Sequence, residues 1–466
     1  MKVRPLQHQQ SNLNIYNKTV FVFAFLFLSL PSQAQEHFSG ISTSQRTGIL
    51  NMGINPAELG NLTTKYDIHI FSTSIKASSN KVGFSDLLTS SDNFKTKLFE
   101  GNDAASISFD GEINGPGIAF KLEKWGFAFT TKGYAKLDVV DVNNNLGNAL
   151  TQSVINSFIT GSTPISNNFN QRLIGTSWGE LALSAARNLY EDSRHKFNAG
   201  ASLKVLFPGS YANFGADKFN GTINNELGKI TLTNTTANLN IAYSGNLGDD
   251  FAQFSDYAKS LFGKPNGVAA DFGVNYQLKE DGADHYKLNV GMSLKNIGGM
   301  TFKSSNNADT NYILTVQGTD SLNLNQFQNV KGMKEVERLL LASGFLNKTS
   351  NDRKDFKVKL PALFTVYADL KIVPSFYVTL FTQQKLTSNE DNDQITSQNI
   401  ISLTPRYTLK NYEVYLPFSH NEMSGIAGGI GFRAYGFFIG SGSIITALIS
   451  DSKQADAYFG YSFKLE

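Results

Sequence analysis

One stretch of this sequence has the spacing of a catalytic serine. Gly175, Ser177 and Gly179 match G-x-S-x-G, in which the serine stands on a sharp turn between a strand and a helix. Here the pattern continues into residues 180–183, where apolar and polar residues alternate as they do in a strand. A serine inside a strand has no such turn to expose it, so we expect no catalytic residue at this place.

Other patterns of chemical interest are incomplete. Gly429, Gly431 and Ala434 fit the G-x-G-x-x-A pattern of dinucleotide binding, but neither a helix nor a ribose-binding acid follows them. The histidines lack the spacing of metal ligands; they are His8, His37, His69, His195, His285 and His420. The sequence therefore predicts no enzyme, no metal site and no cofactor.

The first residues have the pattern of a secretory signal peptide. Lys2, Arg4 and Lys18 precede an unbroken apolar run, residues 20–30, and Ala34 ends a typical cleavage site. About eleven apolar residues are too few for a membrane-spanning helix, which needs about 20. We therefore expect cleavage near Ala34 and export of the mature chain.

The composition excludes several classes of protein. Charged residues are 17% of the chain, against a typical quarter in soluble domains, yet the mean hydropathy is −0.21. The 40 Gly and 36 Phe suit a surface that faces lipid on one side and water on the other. The lack of cysteine excludes a disulfide framework and a lipid-modified cysteine. Loss of three basic residues takes the net charge from +2 to about −1, which gives no reason to expect nucleic acid as a partner.

Long segments with a period of two predict the elements that must carry any function. In residues 268–278, Val268 and Phe272 share one face, and Asp271 and Asn275 share the other. The alternation recurs in residues 197–205 and 286–295. Each segment has the length of a tilted membrane-crossing strand, about 9–11 residues, whereas strands of soluble sandwiches are nearer five or six.

The side chains of the two faces have different expected surroundings. Tyr286 falls on the apolar, lipid-facing side of its segment, and Lys287 on the polar side. Charged residues of the polar faces are expected to form ion pairs in the lumen that join the barrel to a plug inside it, with a role for some in binding a substrate head group. They include Lys204, Asp271, Lys287, Lys295, Asp369 and Arg406.

Fourteen strands of this kind are predicted, and the connections between them alternate short and long. The strands lie near residues 64–75, 104–122, 126–140, 175–189, 195–208, 267–279, 285–303, 356–371, 374–386, 396–409, 411–420, 425–434, 435–443 and 455–465. The long connections include 76–103, 141–174, 209–266 and 304–355. Short periplasmic turns and long outer loops are typical of transmembrane barrels, and an even count puts both termini in the periplasm. The sequence therefore predicts an all-β fold, a transmembrane antiparallel up-and-down β-barrel of about 14 strands.

Three of the long loops have helical patterns. Phe251, Phe254, Leu261 and Phe262 form one apolar stripe in residues 249–262. Two further helices are predicted near residues 327–341 and 146–159. Because an apolar stripe outside a membrane must cover something, we expect these four residues to bind a ligand or a partner.

The start of the mature chain resembles a known family. Asn55-Pro56-Ala57-Glu58-Leu59, after Gly40 and Arg46, resembles the plug of FadL-type long-chain fatty-acid transport barrels, which have Gly where this chain has Glu58. Residues 268–294 and 428–465 look like an uncharacterised Bacteroidota group of such barrels. The resemblance implies a 14-stranded barrel with an N-terminal plug in which Arg46, Asn55, Pro56 and Ala57 control passage.

These observations predict a signal peptide at residues 1–34, a plug at 35–62 and a barrel in the cell outer membrane at 63–466. Two functions remain open. The barrel binds or passes hydrophobic small molecules, or it is a non-conducting scaffold whose partners are secretion or surface proteins. The apolar loop helices suit either function, so the sequence does not choose between them.

Overall fold

The computed structural model describes residues 37–87, 91–151, 161–250, 263–280, 285–350 and 354–466. The strands form one antiparallel sheet whose first strand pairs with its last, Tyr66 with Leu465 through Ser78 with Gln454. The sheet is thus closed into a barrel with a ring of about 14 strands, which confirms the predicted fold class. The predicted signal peptide lies outside the described residues.

Twenty-three strands make up this sheet, and all except β5, β8, β11, β12 and β13 belong to the barrel wall. In chain order they are β1 (Tyr66–Ser79), β2 (Ala105–Asn114), β3 (Gly117–Leu122), β4 (Trp125–Val142), β5 (Gly161–Ser166), β6 (Gln171–Glu191), β7 (His195–Glu226), β8 (Lys229–Ser244), β9 (Gly267–Lys279), β10 (Tyr286–Phe302), β11 (Ala308–Val316), β12 (Leu322–Asn323), β13 (Leu346–Lys348), β14 (Phe356–Lys359), β15 (Leu363–Val373), β16 (Phe376–Lys385), β17 (Ile400–Thr408), β18 (Tyr412–Tyr415), β19 (Phe418–Asn421), β20 (Gly425–Gly428), β21 (Ile430–Ala434), β22 (Phe437–Ser441) and β23 (Gln454–Leu465).

The two ends of the barrel differ. Tyr66, where β1 begins, pairs with Leu465 on one side and Phe120 on the other, so the short turn between β3 and β4 lies at this end. We call it the turn end, and the opposite end the loop end. Long connections such as residues 80–104 leave from the loop end, as the alternation of short and long connections predicts.

The alternating faces of the strands decide what lies inside. Phe272 and Met292 point outward and are about half exposed, whereas Asp271, Asn275 and Ser293 are buried inside the barrel. The outer surface is an apolar band because every second side chain of a strand faces the same way. Its exposed members include Ile75, Phe109, Leu137, Leu183, Leu203, Phe272, Met292, Leu403, Phe432 and Phe459.

The predicted faces are wrong at the start of β10. The pairing of β10 with β9 shifts between Tyr286 and Leu288, as it does at a β-bulge. Tyr286 therefore turns inward, where its hydroxyl donates to Asp369, and Lys287 is exposed. One additional residue in a strand exchanges the two faces, and the period of two does not reveal such a residue.

The predicted loop of residues 209–266 is largely strand in its described part, and the predicted loop of residues 304–355 contains the shorter strands β11, β12 and β13. β7 continues past the wall to Glu226 and turns into β8, which then pairs with β11. We call this projection, formed by residues 211–244 and 308–348, the cap. The cap has its own core, to which Leu232, Leu239 and Ile241 of β8 contribute. The continuation after residue 208 is rich in Asn, Thr and Gly, a composition typical of loops, and this is why the predicted strand ends there.

The helices are short and lie in the connections. They are α1 (Ile49–Met52), α2 (Phe84–Leu87), α3 (Ser91–Leu98), α4 (Asn144–Thr151), α5 (Asn246–Asp249), α6 (Met333–Ala342) and α7 (Ile444–Ile449), with 3-10 turns at Gln45–Thr47, Pro56–Asn61 and Leu324–Phe327. The helix predicted at 327–341 is present but begins only after Gly332, its N-cap. α4 covers the start of the helix predicted at 146–159, whose last residues lie outside the described chain.

Candidate functional site

Residues 37–62, which we call the inner segment, lie inside the barrel. Tyr458 of β23 donates a hydrogen bond to Ser39 O (2.7 Å), and Ser293 of β10 donates one to Ile54 O (2.7 Å). Lys196 of β7 donates to Gly60 O at 2.7 Å. These strands lie on different sides of the wall, so the inner segment crosses the lumen and fills it.

Glu58 is the centre of the attachment. Its Oε1 accepts hydrogen bonds from Nδ2 of Asn275 and of Asn289, both at 2.9 Å, and from the hydroxyl of Tyr367. Its Oε2 accepts one from Asn61 Nδ2 at 2.8 Å. In the described part of the chain no lysine or arginine nitrogen lies within 4.0 Å of this carboxyl. Burial without a bonded cation raises the pKa of Glu58.

The residues before Glu58 form a turn that the sequence specifies locally. Asn55 caps the 3-10 turn, since its Oδ1 accepts from Ala57 N at 3.0 Å, and Pro56 occupies the first position. The Nδ2 of Asn55 donates to Val274 O of the wall at 2.9 Å. A Cβ at Gly273 would lie 1.9 Å from Asn55 Oδ1. Glycine is therefore required where the wall approaches this turn.

Arg46 has a separate role at the turn end. Its guanidinium donates to the backbone oxygens of Leu409 and Lys410, the latter at 3.2 Å, in the turn between β17 and β18. Arg46, Asn55, Pro56 and Ala57 all lie in the inner segment. Control of passage by these residues remains a prediction.

A small charged cavity of about 150 Å³ remains between the inner segment and the wall. Lysines and carboxylates alternate on its lining. The ion pairs are Lys132–Glu112 (2.9 Å), Lys136–Asp110 (2.7 Å), Lys204–Asp271 (2.8 Å) and Lys204–Glu180 (3.7 Å). Lys204 pairs with Asp271, and Asp369 pairs with Arg406 elsewhere in the lumen, but both pairs join one wall strand to another and not, as expected, the barrel to the plug. This lining suits water and ions better than an apolar molecule.

The loop end of the lumen is covered by residues 386–399, which we call the roof. The guanidinium of Arg172, fully buried in β6, donates to the backbone oxygens of Asn389 (2.6 Å) and Gln394 (3.1 Å). Tyr211 donates to Asn392 O at 2.8 Å, and Ile395 is fully buried. Two polar cavities, of about 580 and 340 Å³, flank the roof. The barrel is therefore covered at this end as well as filled from within.

One part of the wall is not a strand. β22 pairs with β23 only through Phe437–Gly440, so β23 residues 454–457 have no strand partner on that side. Among the described strands β20 pairs only with β19. Helix α7 lies between β20 and β23, and we call this place the seam.

Side chains replace the strand ladder at the seam. The Thr446 hydroxyl of α7 accepts from Gly428 N at 2.5 Å. Ser443 Oγ and Gly442 N, just before α7, each donate to the Asp456 carboxylate at 2.6 Å. Few hydrogen bonds join α7 to the wall. Separating α7 from the wall therefore breaks fewer hydrogen bonds than separating two fully paired strands.

The outer face of the seam is apolar. Leu448 and Ile449 of α7 are 80% and 81% exposed. An apolar cavity of about 620 Å³ lies beside α7 on the wall, lined in part by Ile444 and Ala447. This cavity is mainly apolar, in contrast to the polar cavities at the roof.

The four residues predicted to bind a ligand, Phe251, Phe254, Leu261 and Phe262, lie outside the described residues. Their role remains a prediction. The sequence reasoning missed the Arg172 contacts with the roof and the helix at the seam. A hexapeptide that is apolar except for Thr446, residues 444–449, after Gly440-Ser441-Gly442-Ser443 was the available signal for that helix.

The described residues contain no group of three or more His, Cys, Asp or Glu residues placed to hold a metal ion. They contain no helix that is both long and apolar enough to span a membrane. Ser177, the residue of the G-x-S-x-G pattern, lies within β6, as the alternation predicted.

Several solved structures are similar to this chain at low identity. The toluene transporter TbuX of Ralstonia pickettii is 11% identical with a TM-score of 0.39, covering 90% of this chain and 94% of its own. The toluene transporter TodX of P. putida is 9% identical with a TM-score of 0.41, covering 88% and 93%. The translocator domain of the autotransporter NalP from Neisseria meningitidis is 7% identical with a TM-score of 0.33, covering 92% and 99%. These values are too low to assign a function.

No curated protein matches the sequence significantly. A family does match, over residues 56–442, which include Pro56 of the inner segment and reach β22 of the wall. Since this match covers most of the sequence, the chain belongs to the family of unknown function DUF5723.

Proposed function

We propose that this protein is an outer-membrane β-barrel that takes hydrophobic small molecules from the membrane or releases them into it through the seam. The observation that carries the proposal is the position of α7, an apolar helix in the wall where strand pairing has stopped. A closed barrel with an apolar outer face belongs in a membrane. The inner segment acts as the plug of the lumen.

The polarity of the cavities supports this route over one through the mouth. The two cavities at the roof are lined by groups such as Asp309, Asp391, Asn392 and Asn240. A hydrophobic molecule would have to displace water from these groups without replacing their hydrogen bonds, which is unfavourable. On the outer face beside α7 the cavity is lined mostly by alanine, aliphatic and phenylalanine side chains, so a hydrophobic molecule can reach the seam from the membrane without such a cost.

A disulfide across the seam tests the route. The chain has no cysteine, so Gly428→Cys with Thr446→Cys would introduce one defined pair. A Cβ at Gly428 would lie 3.3 Å from Thr446 Oγ1, which is close enough for a disulfide. We expect the oxidised double variant to lose uptake of a fluorescent long-chain amphiphile and of a monoaromatic hydrocarbon, and reduction to restore both.

The single variant Thr446→Cys is the matched control, because it loses the same hydroxyl but cannot lock the helix. Uptake at the wild-type rate by the fully oxidised double variant would show that the seam is not the route. Uptake lost equally in the single variant would point to damage at Thr446 instead of locking.

The cap supports a second function, a scaffold for secretion or surface proteins. Helix α6 is tied to the cap sheet by Glu337, which accepts from the hydroxyls of Tyr243 (2.8 Å) and Tyr312 (2.6 Å). A projection with its own core can present a rigid surface to a partner. Deletion of residues 218–236 should abolish surface delivery of a partner under this function and leave amphiphile uptake unchanged under the first.

A further inference from the structure

The outer wall near α7 has a groove whose floor is made of small residues. Ala77 of β1 pairs with Ala455 of β23, and Gly111 of β2 pairs with Ala135 of β4. Ala457, two residues from Ala455 on β23, pairs with Ile75, whose exposed side chain stands between Ala457 and Gly111. The five small residues point outward, since their sequence neighbours such as Lys76 and Asp110 are buried inside the barrel. Four adjacent strands thus share one depression on the outer face.

Larger side chains border this depression. Phe109 and Leu137 pair with each other and stand beside the floor. Phe84 of α2 and Ile444 of α7 close it toward the loop end. The resulting volume of about 620 Å³ falls in the range of small-molecule sites, about 300–1,000 Å³. The groove therefore has the dimensions of a binding site and not of an ordinary gap between protruding side chains.

We infer that this groove binds an acyl chain of a membrane lipid from the leaflet at the loop end. Its floor offers alanine methyl groups, backbone atoms and the aliphatic side chain of Ile75. The charged groups that also border the cavity do not reach outward, since Lys76, Asp110 and Lys136 are buried inside the barrel and Asp456 is hydrogen-bonded to Ser443, so its occupant is aliphatic along this length. It opens on the same face as the exposed Leu448 and Ile449, which only hydrocarbon can cover. A flexible linear chain can follow the floor across the strands, which are about 4.8 Å apart.

The binding force is packing. Lipid tails are as apolar as the floor, so transfer from one to the other gains nothing by itself. An unfilled depression, however, leaves its lining without contact atoms on one side, and a chain that fits it restores these dispersion contacts. We therefore expect one retained chain at the groove against rapidly exchanging lipid elsewhere on the wall.

The inference rests on the membrane location in the proposed function and not on passage through the seam. The two are separable, because the groove lies outside the barrel and is present in the closed wall. A barrel that retains a lipid and transports nothing would support the groove and contradict the route.

A side chain placed on the floor tests the inference. A Cβ at Gly111 would meet only Ala135 O, at 3.7 Å, so Gly111→Phe fits the backbone and fills the groove. Met292→Phe, on the outer face of β10, is the matched control for an added aromatic ring. Each protein is placed in phosphatidylethanolamine–phosphatidylglycerol vesicles that contain a phosphatidylethanolamine with one photoactivatable acyl chain, solubilised, washed with excess detergent, and then irradiated.

We expect the wild type and Met292→Phe to keep one cross-linked lipid per barrel, with the label on β1, β2, β4 or β23, and Gly111→Phe to lose most of it. Wild-type barrels without retained lipid, or equal labelling of Gly111→Phe, would overturn the inference. Label spread evenly over the wall would do so too. The disulfide-locked seam variant should retain the lipid. The uptake assay therefore tests the route through the seam, and the cross-linking assay tests the groove. A mobility shift on boiling, measured for every variant, shows that each barrel has folded.

Discussion

At the scale of single residues, one buried carboxyl joins the inner segment to three strands of the wall. Glu58 accepts hydrogen bonds from neutral donors on β9, β10 and β15, the amides of Asn275 and Asn289 and the hydroxyl of Tyr367. Removal of the carboxyl would take this acceptor from buried donors, at about 1–3 kcal/mol for each donor left without a partner.

The raised pKa of Glu58 predicts how stability depends on pH. Burial favours the protonated carboxyl in the folded state, so its contribution is fully present below the ordinary pKa of glutamate. That contribution is lost as the pH rises through the raised pKa. The temperature of the mobility shift on heating should therefore fall across this window in the wild type. Glu58→Gln should flatten the profile, and Glu226→Gln, at the exposed cap tip, should leave it unchanged. A window unaffected by Glu58→Gln would contradict this assignment.

At the scale of elements, the two faces of a wall strand have opposite requirements. Phe272 of β9 points outward at mid-strand, and Val268 points outward near the loop end. Their neighbour Asp271 points inward, where it pairs with Lys204. Adjacent residues of one strand must therefore suit different surroundings, because one faces lipid and the next faces the lumen.

An arginine scan along the outer face of β9 should report depth in the membrane. Phe272→Arg should lower the free energy of unfolding by roughly 2–4 kcal/mol, since a charge at the midplane is costly, and Val268→Arg by about 0–1 kcal/mol. Denaturant titration of the barrel folded into lipid vesicles measures both. Equal losses at the two positions would show that the outer face of β9 does not cross a hydrocarbon layer.

At the scale of the whole molecule, the barrel is closed from within and extended outward. The inner segment fills the lumen, the roof covers the loop end, and the cap projects beyond the wall on β7 and β8. The cavities at the roof are mainly polar and the cavity on the outer face beside α7 is mainly apolar, which is the basis of the proposed exchange with the membrane.

The orientation of the molecule can be tested with inserted tags. Leu227, at the tip of the hairpin between β7 and β8, is 76% exposed, and Ser375 lies in the short turn between β15 and β16. A tag after Leu227 should bind antibody on intact cells, and a tag after Ser375 should do so only after the outer membrane is permeabilised. The reverse labelling would show that the cap faces the periplasm.

The sequence by itself determined the barrel. Strand positions, the order of short and long connections and most of the inward and outward faces follow from the period of two, because a strand between lipid and a polar lumen must alternate. Asn55-Pro56-Ala57 likewise specifies its own turn. These features depend on neighbours within a few residues, which a single sequence displays directly.

Only the tertiary structure decided what closes the barrel and where its wall is weak. Glu58 meets Asn275, Asn289 and Tyr367 across more than 200 positions of the chain, and Arg172 meets the roof across a similar distance. Neither contact leaves a periodic pattern in the sequence. The groove beside α7 is likewise formed by small residues from four strands, each unremarkable alone. Such contacts arise from the closure of the sheet, which brings distant segments to one place, and so no local signal predicts them.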